Sequence, residues 1–193
     1  MKMRFWIAIL LCTGPLVGMA NLLPNGDFSD GLEGWLTDYT WTRNMHYMQN
    51  HYHISVIPEH RGRRNVAELR GSGDSGVKME TILFPFRMGD SYRATLYIQG
   101  RHRVYFKGYQ WRPGVRPHDS PTHPEMREIY RSRANAAHHD SMRKVTIEIP
   151  GVENLSPNAL AHLQRVRFIS LFIWSEFRGY VDDVVIEKIE SAR

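Results

Sequence analysis

An all-β fold, a two-sheet β-sandwich with one or two short helices in its connections, is predicted by three features of this 193-residue chain. Several segments alternate apolar and polar residues with the period of two that a half-covered strand requires. Glycine- and proline-bearing turn clusters separate these segments, and helical periodicity is scarce.

Taking the elements in order, Tyr92, Ala94, Leu96 and Ile98 share one face of a strand, and Val145, Ile147 and Ile149 share one face of a later one. From Val166 to Trp174 nearly every position is apolar, which describes a strand covered on both faces. Turns are signalled at Gly71 to Gly76, at Met88-Gly89-Asp90 and at Pro150-Gly151. A short connecting helix begins where Ser156 can cap it, Pro157 fits the first helical position, and Ala159, Leu160 and Leu163 turn one apolar face inward. Residues 112–142 break the strand pattern with Pro113, Pro117, Pro121 and Pro124, four histidines and five arginines. A connection of this length is functional or disordered in most compact domains. It is therefore expected to be an insertion near a binding face, with a helix over 124–137.

At the N-terminus, Lys2 and Arg4 precede an apolar run from Phe5 to Val17, and Gly18 and Ala20 flank Met19 ahead of Asn21. This is the pattern of a signal peptide over residues 1–20, leaving 21–193 as one domain that is secreted, periplasmic or on the cell surface. The apolar run is shorter than a membrane-spanning helix needs, and no later stretch approaches that length without charges, so no membrane span is expected after cleavage. Cys12, the one cysteine, falls inside the signal, so the fold must hold by its core without disulfides. Without Lys2 and Arg4 the 25 basic residues become 23 against 20 acidic ones, a mild excess of +3. Arginines cluster nevertheless, at Arg61, Arg63, Arg64 and Arg70, at Arg101 and Arg103, and from Arg112 to Arg133. Such patches suit an anionic partner, for example a uronate-bearing or sulfated glycan. Nucleic acid would also use basic and aromatic residues, but export argues against it.

Three stretches carry a family resemblance. Asn25-Gly26-Asp27-Phe28 stands near the start, Val77 to Ile98 in the middle, and Tyr180-Val181-Asp182-Asp183-Val184 near the end. In that order they resemble the galactose-binding-like jelly-roll superfamily, and within it the carbohydrate-binding modules of families 4 and 9. The resemblance implies a jelly roll, a carbohydrate ligand, and a structural calcium ion held between the N-terminal segment and the last strand. Its ligands here would be Asp27, Asp182 and Asp183, with oxygens near Asn25. Ser29 stands where the family often has a glutamate, which removes one charged ligand.

The leading ligand site is the segment Val104 to Trp111, where an extended strand would put Tyr105, Lys107, Tyr109 and Trp111 on one face. Aromatic rings pack against the C–H patches of sugars, while Lys107 and Arg112 would bond hydroxyls or carboxylates. Against this stands the commoner role of alternating aromatics, as the core face of a sandwich. Met45, His46, Met48, His51 and His53 offer copper-binding donor types without a fixed spacing.

Catalysis has less support, because no serine nucleophile motif, phosphate loop or paired-cysteine metal motif occurs. A lyase or hydrolase of an anionic glycan would draw on Tyr109, His118, His123 and Arg127, or on Asp119, Glu125 and Glu128. The favoured reading is an exported, non-catalytic carbohydrate-binding domain, with an acidic polysaccharide as a candidate ligand. Two alternatives stay open: that lyase or hydrolase, and an adhesive domain with an envelope protein as partner.

Overall fold

A computed structural model describes residues 21–42, 50–73, 76–150 and 155–189. Residues 1–20, where a signal peptide is expected, and the donors Met45, His46 and Met48 lie outside them. The described chain forms ten strands: β1 (Trp35–Leu36), β2 (Ile54–His60), β3 (Arg63–Arg70), β4 (Val77–Thr81), β5 (Phe84–Pro85), β6 (Ser91–Trp111), β7 (Met126–Arg131), β8 (Asn135–Ile149), β9 (Phe168–Ser175) and β10 (Arg178–Ile189). One α-helix, α1 (Pro157–Leu163), begins as the sequence predicts, with the Ser156 hydroxyl accepting from the Ala159 N–H and Pro157 at its first turn. All pairings are antiparallel, in the order β1-β4-β9-β6-β10-β3-β2, with β7 and β8 on the other edge of β6.

Strand β6 belongs to both layers of the sandwich. Its first part, Ser91 to Gln99, pairs with β10, and its second, His102 to Tyr109, with β9. Between them Gly100 adopts a φ of +96°, and a Cβ there would lie 2.7 Å from the Arg178 carbonyl oxygen. Only glycine takes that conformation and that close approach without strain. The curled sheet thus folds onto itself at one residue. Leu69, Val181 and Ile186 of one layer then pack with Met79, Phe106 and Leu171 of the other. This is the two-layer, all-β sandwich that the alternation predicts.

The two ends of the described chain meet. Leu22 N–H donates to the Ile186 carbonyl at 2.8 Å, and Val184 N–H to that of Gly26 at 2.8 Å. A side chain on Gly26 would run into the Val184 carbonyl oxygen, so glycine is required where the N-terminal segment presses on β10.

Residues 124–137 are not a helix. His123–Glu125 make one 3-10 turn, and the chain then extends as β7 and, from Asn135, as β8. Charged side chains exposed at an edge strand mimic the polar face of a helix in sequence, and pairing with β6 decides the outcome. His51 and His53 likewise sit in a 3-10 turn, Asn50–His53, instead of projecting together from a strand.

Gly100→Ala is expected to lose about 1–3 kcal/mol from backbone strain alone. Urea unfolding with an unchanged slope and a lower midpoint would show it; an unaltered midpoint would mean that the corner is not fixed at this residue.

Candidate functional site

The second layer turns a face away from the core, and strand parity dictates what it carries. On β6, Val104, Phe106 and Gly108 are buried toward the core, so Arg103, Tyr105, Lys107, Tyr109 and Trp111 share the other side. Register places Tyr105 against Phe172, Arg103 against Trp174 and Lys107 against Ser170 of β9. On β9's far side, Lys78 and Glu80 of β4 stand opposite Trp174 and Phe172. The side-chain amide of Asn50 lengthens that edge: its nitrogen donates to the Lys78 carbonyl at 2.7 Å and its oxygen accepts the Lys78 N–H at 2.9 Å.

At the centre lies Glu80, only 1% exposed. Lys107 Nζ donates to Oε1 at 2.7 Å and Tyr39 to the same oxygen at 3.2 Å. Tyr109 and Ser170 donate to Oε2 at 2.6 and 2.9 Å. Burial alone would raise this carboxyl, but the Lys107 charge leads a set of favourable neighbours that brings it below its ordinary range. Glu80 is therefore a carboxylate. Burial and the Glu80 charge together push the Tyr109 phenol far above its normal range, and they raise Tyr39 in the same way. His123 approaches Glu80 Oε2 at 3.7 Å and meets the Tyr109 ring edge-on. Burial lowers its imidazole below the usual value, which outweighs the pull of Glu80.

Above this network opens a cleft of about 470 Å³. Tyr105, Phe172 and Trp174 line it, together with Lys78, Arg103, Lys107 and Arg131, and Glu128 is its one carboxylate. Each ring has a cation nearby: Lys107 lies 4.0 Å from the Phe172 centroid, Arg103 5.3 Å from Trp174 and Arg131 5.6 Å from Tyr105. Burial, with the Lys107 charge adding, pushes the Lys78 ammonium down to about 8. Burial raises the Tyr105 phenol to about 12.

Of the predicted ligand residues, Tyr105 and Lys107 line this cleft, while Tyr109 lies beneath it with its hydroxyl on Glu80. Trp111 and Arg112 stand apart from it. Trp111 packs edge-on against Phe168 and beside His118, and Arg112 Nε donates to the Met126 carbonyl at 2.9 Å. Arg103 and Arg131 belong to the arginine clusters that suggest an anionic partner, whereas Lys78, Glu80, Phe172 and Trp174 went unselected from the sequence. The alternation Val77-Lys78-Met79-Glu80 was the available signal for two of them.

The calcium ligands implied by the resemblance do not fit that ion as arranged. A one-residue bulge in β10 lets Arg63 reach both Asp182 and Asp183, at 2.7 and 2.6 Å, so a guanidinium already holds the two carboxylates. Asp27 accepts from the Ser29 N–H and hydroxyl, and Asn25 bonds within its own turn. Among the described residues no group of three or more His, Cys, Asp and Glu side chains is placed to hold a metal.

No protein-family model matches the sequence, and no curated protein matches it. Solved structures do resemble the fold. A CBM4 structure is 8% identical with a TM-score of 0.49, over 86% of this chain and 99% of its own. TmCBM61, in complex with β-1,4-galactotriose, is 13% identical with a TM-score of 0.46, over 88% and 99%. The family 11 carbohydrate-binding module of the cellulosomal cellulase Lic26A-Cel5E of Clostridium thermocellum is 10% identical with a TM-score of 0.47, over 92% and 98%. These are similarities of outline; what the cleft binds must be read from this chain's own side chains.

Glu80→Gln leaves the Lys107 ammonium buried without its carboxylate, and a stability loss of about 3–5 kcal/mol is expected. Because the folded-state carboxyl titrates below its ordinary 4.5, its contribution is full above that pH and is lost as pH falls further. Denaturant melts across the acid range should therefore show a shallower acid loss in the variant.

Proposed function

We propose that the protein is an exported, non-catalytic carbohydrate-binding domain and that its cleft takes an acidic glycan. The observation that carries this reading is the lining: three rings with four cations around them and a single carboxylate. Pyranose rings present flat C–H surfaces that rest on aromatic faces, while uronate or sulfate groups would meet Lys78, Arg103 and Arg131. A neutral sugar would offer nothing to Arg103, which makes no ion pair among the described residues, whereas Lys107 and Arg131 already have carboxylates in Glu80 and Glu128.

The lyase alternative draws no comparable support. A lyase base must take a proton near neutral pH. Tyr105 and Tyr109 both hold theirs well past it, and His123 is turned into the Glu80 network. His118 is bonded to Glu125 outside the cleft, and Asp119 is exposed there too. Glu80 and Glu128 do meet at Lys107, at 2.7 and 3.4 Å. Hydrolysis would require both carboxyls to face the sugar, and Glu80 is sealed beneath the floor.

The test is a glycan array probed with the purified protein at moderate salt. Retention of uronate or sulfated glycans over neutral ones supports the reading; equal binding of neutral polymers, or time-dependent cleavage of any polymer, overturns it. Trp174→Ala and Arg103→Ala should each weaken a retained glycan about tenfold, at a cost of about 1.4 kcal/mol in binding. The Lys78 charge is present below about pH 8 and lost above it, so affinity should fall between pH 7 and 9. A titration of binding against pH, with Lys78→Met as control, checks that sign.

A further inference from the structure

Glu128 and Arg131 border two depressions. Across them from the first cleft lies another of about 470 Å³, lined in part by Gln110, Arg127, His162 and Arg165. The two adjoin at β7, which carries a bulge. Gly108 faces Tyr130 and Tyr109 faces Glu128, so Ile129 has no opposite number. Glu128 and Arg131, three positions apart, therefore come to the same face, where they form an ion pair and a ridge between the depressions.

Beyond the ridge the charge is positive again. Arg127 stands in register with Gln110, and Arg165 at the end of α1 lies 3.1 Å from His162 Nδ1. Neither Arg127 nor Arg165 has a carboxylate within ion-pair distance among the described residues.

The geometry points to a second anion subsite at Arg127 and Arg165, continuous with the first cleft over the Glu128–Arg131 ridge, so that the ligand is a polyanionic glycan chain long enough to cross β7. This rests on the glycan reading of the first cleft. Exposed arginines hold a lone anion weakly in water. A chain already seated in the first cleft, however, presents its next charges at high effective concentration.

Calorimetry on the intact protein decides it, using galacturonate oligomers from dimer to decamer and heparin oligosaccharides of matched length. Affinity should rise about tenfold or more with length, and Arg127→Ala/Arg165→Ala should abolish that rise while leaving the shortest oligomer's affinity unchanged. Affinity that does not depend on length, or a rise that survives the double substitution, overturns the second subsite. If Arg103→Ala still weakens short oligomers in that case, the first cleft stands alone. If no oligomer of either class binds, both readings fall. Equal affinity for oligothymidylate of matched charge would also overturn the glycan chain, in favour of an unselective polyanion track. The two heparin and galacturonate arms separate sulfate from carboxylate recognition.

Discussion

The buried pair of Glu80 and Lys107 is the constraint on which the cleft depends. An ammonium at the floor of a sheet face is costly unless a carboxylate shares its burial and the remaining lone pairs are filled. Here they are filled by Tyr39, Tyr109 and Ser170, so one carboxylate draws on β4, β6, β9 and the segment before β2. Such a network adds little to stability compared with well-packed apolar side chains, but it fixes position sharply. Lys107 is thereby held 4.0 Å from the Phe172 centroid instead of reaching into solvent.

That network can exist only because β6 is long and bends once. Pairing with both β10 and β9 carries one strand from layer to layer, and Gly100 absorbs the turn without changing which parity faces the core. Val104 and Phe106 therefore continue the inward row begun by Leu96 and Ile98, while Arg103, Tyr105 and Lys107 continue the outward one. The row that lines the cleft and the row that fills the core are two sides of one alternation.

Much of this was legible. Alternation placed Tyr105, Lys107 and Tyr109 together because a strand's period of two depends on backbone geometry alone. It did not say that Trp111 would pack on Phe168, or that Glu80 would come from a strand 27 residues away to meet Lys107. Those are facts of register between strands, which one strand's pattern does not encode. The same holds for Asp182 and Asp183, whose partner Arg63 is about 120 residues distant. Residues 126–131 misled for another reason: an exposed edge strand buries little, so its sequence shows scant alternation, and β6 supplies the missing instruction by pairing.

The charge of the cleft is distributed in a way that separates holding from choosing. Lys107 is neutralised by Glu80, and Arg131 is partly neutralised by Glu128, so neither offers a full charge to an incoming anion. Arg103 makes no ion pair among the described residues and lies beside the outermost ring, Trp174. Lys78 is held in the wall with Tyr39 beneath it, at 3.8 Å. The rings at the floor would accept the apolar face of almost any sugar, whereas these two cations would reward only one bearing negative charge. On the proposed reading, selectivity would reside at the wall and general affinity at the floor, a division that follows from placing the compensating carboxylate under Lys107 and not beside Arg103.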